Sequence, residues 1–179
     1  MIVLETERLL FRDQTLDDLE PFCAMEADPE VRRWVGGAPR TREAAERKFR
    51  EVYLPPVRNR MGMWATILKE EERYIGYCGV YPNFGEAALG YHLARPYWRR
   101  GLATEAARAF VAFGFRQLGL SRIVSAVEVG NDASKRILEK LGFVWLRRER
   151  NATRAFDHFE LGARASGPER RDKPARSRD

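Results

Sequence analysis

Cysteine and histidine are scarce in this chain of 179 residues, with two of each. Cys23 and Cys78 have no metal-ligand spacing, which excludes a cysteine-held metal site and reads as two buried thiols in a reducing cytoplasm. Long hydrophobic runs are missing as well. The longest is Ala109–Phe115, far short of the ~18–20 apolar residues a membrane helix needs. The opening Met1–Glu5 has no basic stretch ahead of an apolar one, so no secretory signal is expected. Neither G-x-x-x-x-G-K-[ST] nor G-x-G-x-x-G occurs, so the phosphate sites those motifs build are excluded. There are no internal repeats.

What is present is an ordinary core-forming composition. Apolar residues make up 44% of the chain, enough for one folded domain. The net charge is +6, but the stretch from Ala163 to Asp179 contributes half of it, with six basic residues against three acidic ones. The expected organisation is a single domain over 1–162 followed by a basic, disordered tail over 163–179. The remaining charge on the domain is too small to call for nucleic acid, though a cofactor with several phosphates would use some of it.

Periodicity predicts the elements. A strand is expected at Leu9–Arg12, and a helix at Leu16–Ala27 with Thr15 as N-cap and Pro29 as breaker. A charged helix is expected over Thr41–Tyr53, ended by Pro55-Pro56. Met63–Leu68, Tyr74–Tyr81 and Ala87–Leu93 read as an antiparallel meander. The stripe Ala103, Ala107, Phe110, Val111, Gly114, Leu118 predicts a long helix stopped by Gly119. A strand at Ile123–Val129, a helix at Asp132–Leu141 and a closing strand pair, Val144–Arg148 with Phe156–Leu161, complete the pattern. The fold class expected is mixed α/β: one large, mostly antiparallel sheet flanked by helices.

The sharpest feature is the loop Trp98-Arg-Arg-Gly-Leu-Ala-Thr104, between a strand and the long helix. A helix N-terminus presents backbone N–H groups without helical partners, and its dipole favours anions. Gly101 lets the backbone approach a ligand closely, Ala103 keeps the wall thin, and Arg99 and Arg100 add positive charge.

This loop resembles the [Q/R]-x-x-G-x-[G/A] signature of the GNAT acetyltransferase superfamily, which cradles the pyrophosphate of coenzyme A. Asn131-Asp-Ala-Ser134 followed by Leu138-Glu-Lys-Leu-Gly-Phe143 resembles that family's N-x-x-[A/S] … L-G-F segment, which flanks the pantetheine arm. Leu4–Arg12 with Asp17 and Asp18, Gly90-Tyr91 and Tyr97-Trp98 resemble the RimJ/RimL-type branch, the ribosomal-protein N-terminal acetyltransferases. The resemblance covers about residues 4–161. Two departures stand out: Trp98 replaces the Gln or Arg of the broad signature, and Ala88 stands where that branch often has Glu. The resemblance implies acetyl-CoA as cosubstrate and an amine acceptor. It places the backbone of Leu93, Ala94 and Arg95 on the pantetheine amides. Arg99, Arg100, Gly101, Leu102, Ala103 and Thr104 then take the pyrophosphate, and Asn131 and Ser134 lie beside the arm. For Asn131 a helix N-cap is the alternative.

The chemistry sets a requirement. Only a neutral amine attacks a thioester. An α-amine of pKa ~7.7–8.0 is neutral in roughly one molecule in ten at pH 7, a lysine amine in about one in 2,500. A base therefore helps. His92, on the strand before the loop, is one candidate, and a sheet-surface histidine is its plain alternative. Glu86 is the other, in place of the carboxylate missing at Ala88. Ser134 is the candidate proton donor to the leaving sulfur. Asp157 is a candidate for binding the acceptor's ammonium, and Tyr91 reads as packing. The acceptor expected is a peptide or protein N-terminal α-amine, with a small amine such as an antibiotic, polyamine or metabolite as alternative. From another class stands a silent acyl-CoA sensor or nucleic-acid-binding module. No membrane partner is expected, and the chain is expected to be a monomer or homodimer.

Overall fold

The computed structural model describes residues 1–163, so nearly all of the expected basic tail lies outside the described residues. The chain opens with two short strands, β1 (Ile2–Glu5) and β2 (Leu9–Arg12), paired antiparallel. The lead-in expected before Leu9 is thus itself a strand; its half-buried Val3 and Leu4 pack on the core. β2 alternates buried Leu9 and Phe11 with half-buried Leu10 and Arg12, the period of a sheet with two different faces.

The helix expected from Leu16 begins as one 3₁₀ turn, Leu16–Asp18, and continues as α1 (Leu19–Ala27). The buried Asp18 carboxylate accepts from Thr15 N at 2.8 Å and takes two guanidinium nitrogens of Arg12 at 2.6 and 2.8 Å. Pro29 ends α1, but also opens a further short helix, α2 (Pro29–Arg32), capped by Asp28. Proline is tolerated at a first helical position because its missing N–H has no partner there. α3 (Arg42–Lys48) starts at Thr41, whose hydroxyl accepts from Ala44 N. The expected helix to Tyr53 loosens into a π turn over Phe49–Tyr53.

The meander forms as β3 (Trp64–Leu68), β4 (Arg73–Asn83) and β5 (Glu86–Leu93). β3 is buried along its whole length, as a central strand covered on both faces must be. Then follow α4 (Leu102–Arg116), β6 (Arg122–Glu128), α5 (Asp132–Lys140), β7 (Val144–Arg150) and β8 (Ala155–Gly162). The eight strands form one sheet in the order β1-β2-β3-β4-β5-β6-β8-β7. Every neighbour pair is antiparallel except β5 and β6, which are parallel across the α4 connection. The last strand therefore lies inside the sheet, between β6 and β7.

Each face has its own core. One is packed with α4 and α5: Leu9, Phe11, Leu89, Leu93, Leu102, Phe110 and Leu138 are buried there, with the Phe11 and Phe110 rings edge to face at 4.9 Å. The other is packed with α1 and α3: Phe22, Phe49, Ala65 and Tyr77 are buried there. Among the described residues no helix is long and apolar enough to cross a membrane.

Candidate active site

The parallel β5–β6 ladder is short. Its register pair is Ala88 with Val124, reinforced by Ser125 Oγ donating to Leu89 O at 3.1 Å. β5 stays paired to β4 on its other side as far as Leu93, and β6 stays paired to β8 throughout. Beyond Leu89 the two strands therefore part, leaving a gap in the middle of the sheet. The gap opens toward the loop Arg95–Gly101 and the start of α4.

That start carries anion-binding geometry. Arg99 and Gly101 adopt positive φ (60° and 78°), and Gly101 is the N-cap without a side chain to satisfy the first turn. The first intrahelical bond is Glu105 N to Gly101 O at 3.0 Å, so the N–H groups of Leu102, Ala103 and Thr104 have no helical acceptor. Arg99 and Arg100 are exposed beside them; Arg100 also lies 3.6 Å from Glu71 and over the Tyr97 ring. Trp98, the departure from the broad motif, donates its indole N–H to Leu93 O at 2.7 Å and so fastens the loop to the end of β5. Ala94 N donates to Ile75 O at 2.8 Å.

A clamp that periodicity did not reveal holds this loop from the β1–β2 turn. Thr6 Oγ1 donates to Glu105 Oε1 at 2.6 Å, Arg8 Nε donates to Glu105 Oε2 at 2.7 Å, and Arg8 Nη1 donates to Arg100 O at 3.0 Å. Against the burial that would raise it, hydrogen bonds from Thr6 and Arg8 hold the Glu105 pKa low. Nothing in the sequence links residues so far apart.

Across the gap, Tyr91 reaches α5. Its Oη lies 2.8 Å from Ser134 Oγ and donates toward Ser134 O at 3.2 Å. The phenol is half-buried, and its desolvation raises its pKa, so it stays a neutral hydroxyl. Tyr91 packs on the core, as read from sequence, but it is also Ser134's polar partner. Asn131 is the N-cap of α5, its Oδ1 accepting from Ser134 N at 3.2 Å.

The structure sorts the remaining candidates by face. Leu89, Tyr91 and Leu93 belong to the α4–α5 side of β5, while His92 points the other way, with its ring 4.9 Å from that of Tyr77. His92 as a whole is half-buried; its Nδ1 is out of solvent and, among the described residues, has no hydrogen-bond partner. Burial first, then the charges of Arg32 and Lys48, push its pKa down to about 4, so the ring is neutral at physiological pH. Glu86 stands at the opposite end of β5, six residues or about 20 Å along the strand, and is ion-paired with Arg122. Asp157 is buried on the α5 side. Arg148 holds it through two bonds of 2.8 and 2.9 Å and Trp145 Nε1 through a third of 3.1 Å, and the arginine bonds bring its pKa to about 2. Three donors from β7 hold it, and it lies on the α5 side of the sheet, away from the face of His92. Glu86 is likewise not brought to the gap, for its partner and its distance.

The fold and the gap agree with what the chain is similar to. A family model described as an acetyltransferase (GNAT) domain matches residues 8–144. A curated relative, an uncharacterized N-acetyltransferase p20 of Bacillus licheniformis, is 33% identical over 147 residues, covering 80% of this chain and 83% of its own. A GNAT-family acetyltransferase from Bacillus anthracis superposes with a TM-score of 0.78 at 22% identity, covering 90% of this chain and 98% of its own. RimL, a ribosomal L7/L12 alpha-N-protein acetyltransferase solved with coenzyme A, gives 0.75 at 14%, covering 90% and 98%. With the split β5–β6 ladder, the uncapped α4 terminus and a matched family model over most of its length, the chain belongs to the GNAT family of acetyltransferases.

Proposed function

We propose that the protein transfers the acetyl group of acetyl-CoA to a primary amine by direct attack, with both substrates bound together. The acceptor in this reading is a peptide or protein N-terminal α-amine. The observation that carries it is the gap between β5 and β6, which ends at a helix N-terminus with free N–H groups and two exposed arginines. The likeness to RimL, named for acetylating the α-amine of L7/L12, supports the acceptor class.

The residues fit such a cosubstrate. Unpartnered N–H groups at Leu102–Thr104, a backbone at positive φ and the Arg99 and Arg100 guanidinium groups suit a pyrophosphate. When bound, acetyl-CoA supplies the activated acetyl thioester. The arm would run past the end of β5 at Leu93, Ala94 and Arg95, where Leu93 O and Ala94 N are already bonded to Trp98 and Ile75, and Asn131 and Ser134 would flank it. Ser134 Oγ holds a proton for the leaving sulfur, and Tyr91 Oη, 2.8 Å away, replaces it. His92 lies on the opposite face, and with its pKa near 4 it is too weak a base to draw a proton from the amine; the acceptor reacts from the neutral fraction an α-amine already has, its proton passing to water.

Free-thiol release from acetyl-CoA against N-terminal peptides, polyamines and amine antibiotics tests the reading. Turnover on peptides alone supports it in full. Turnover confined to small amines replaces the acceptor class. Failure to bind acetyl-CoA removes the reading altogether.

A further inference from the structure

On the α1–α3 face, behind His92, sits a buried ionic cluster that the transfer chemistry does not use. Glu26 is almost wholly buried, and so is Arg32. Glu26 Oε2 accepts from Arg32 Nη1 at 3.1 Å and from Arg40 Nε at 2.7 Å; Oε1 accepts from Tyr77 Oη at 3.3 Å. One carboxylate therefore serves two guanidinium groups. A third cation, Lys48, stands within electrostatic range of all three. Its Nζ lies 5.9 Å over the Tyr53 ring, and among the described residues no carboxylate is in ion-pair distance of it.

Three cations face one anion in a half-desolvated wall, which is an unbalanced arrangement. Desolvation, and then Arg40, lower the Lys48 pKa, so the site disfavours its own charge as it stands. Buried charges are normally paired, and an excess cation left without a counter-charge marks a place for an anion. The second, independent sign is His92. Among the described residues its buried Nδ1 has no hydrogen-bond partner, and the ring lies within electrostatic range of Arg32 and Lys48. His92 belongs to the face of β5 opposite Tyr91 and Ser134, where an acceptor would meet an acetyl group carried in the gap.

We infer that the acceptor carries a carboxylate close to its amine, held by Lys48 with Arg40, in front of His92. This rests on the reading of the α1–α3 face as the acceptor side. The carboxylate has two sources: the acceptor's own, as in a free amino acid, or the side chain of the second residue of an acidic peptide. A cationic polyamine or aminoglycoside is the substrate type this wall repels.

Matched pairs test it. Alanine is compared with alaninamide, and Ala-Glu amide with Ala-Gln amide and Ala-Lys amide, in steady-state thiol release. In at least one pair the carboxylate member should have a kcat/KM about tenfold or more higher, mostly through KM, the scale of one charge-assisted contact. Preference in the first pair points to amino acids, in the second to acidic peptide termini. In Lys48→Met that preference should fall below about threefold, with a thermal melt confirming the fold. Arg47→Met, which removes an exposed charge one residue away, should keep it. Equal kcat/KM within both pairs, preference for Ala-Lys amide, or an undiminished preference in Lys48→Met overturns the inference and leaves the acetyltransferase reading standing. If none of these amines turns over, the same pairs are titrated into the coenzyme A-bound protein and followed by the His92 ring resonances. A shift specific to the carboxylate member, lost in Lys48→Met, supports the site, and its absence overturns it.

Discussion

The two sides of β5 are assembled by different means. On the side of Leu89, Tyr91 and Leu93, the groups that would hold a nucleotide come from short, contiguous stretches, the loop Trp98–Thr104 and the turn Asn131–Ser134. Backbone N–H groups would do most of that binding, and most side chains at those positions would leave them in place, Gly101 with its positive φ excepted. On the side of His92, Glu26 comes from α1, Arg32 from α2, Arg40 from the connection beyond, Lys48 from α3 and Tyr77 from β4. The charged contacts there are between side chains brought from separate elements, and they centre on one buried carboxylate. A backbone-built site is written in a local motif; a side-chain-built site is written only in the packing.

The strongest way to break this contrast is Glu26→Ala. It strands Arg32 and Arg40 against a buried wall, and breaking a buried pair on one side costs ~3–5 kcal/mol. Urea or thermal unfolding should register a loss of that order. A loss under about 1 kcal/mol would mean that the cluster relaxes into water and that the acceptor face is more plastic than drawn.

Ser134→Ala should act on the other side, on rate. Losing a positioned proton donor lowers kcat by about 10²–10⁴-fold, with the KM for acetyl-CoA nearly unchanged. Tyr91→Phe should lower kcat less, by about tenfold, because the serine hydroxyl remains but loses its partner. Full rates in both would place proton delivery elsewhere.

Next in size is Gly101→Val. The φ of 78° costs a β-branched residue roughly 1–2 kcal/mol, and the loop must shift to relieve it. Acetyl-CoA affinity by calorimetry should weaken about tenfold, while binding of an acceptor analogue at His92 stays as it was. Equal losses on both sides would erase the distinction between the two faces.

The smallest effect is in pH dependence. Burial lowers the His92 pKa to about 4, so the unfolded chain takes up a proton that the folded chain refuses. This contribution to stability is full above about 6.5, and it declines as pH falls toward 4. His92→Gln should flatten that part of the stability curve. In the native protein kcat/KM should climb with pH as the acceptor amine deprotonates, with no inflection near 6.5 from His92. An imidazole resonance titrating at 6–7 would show the ring to be solvated.

Much of this was legible without coordinates. The meander, the helix stripe of Ala107 and Phe110, and the closing hairpin follow from period-2 and period-3.6 patterns, because burial of one face imposes those periods on any chain. The anion loop was legible because a glycine and a helix start imply free N–H groups wherever they fold. β1 was missed because four residues on the outer edge of the sheet carry little pattern. Pro29 was read as a stop alone, although the same residue suits a first helical turn.

By itself the sequence determined the mixed sheet with its helices and the uncapped start of α4, because those depend on local periodicity and backbone geometry. Only the tertiary structure decided that Tyr91 reaches Ser134, that Glu86 and Asp157 are committed to Arg122 and Arg148, and that Lys48, among the described residues, has no carboxylate at ion-pair distance. Partners of that kind are fixed by strand order and register, and neighbours across a sheet leave no periodic trace along the chain.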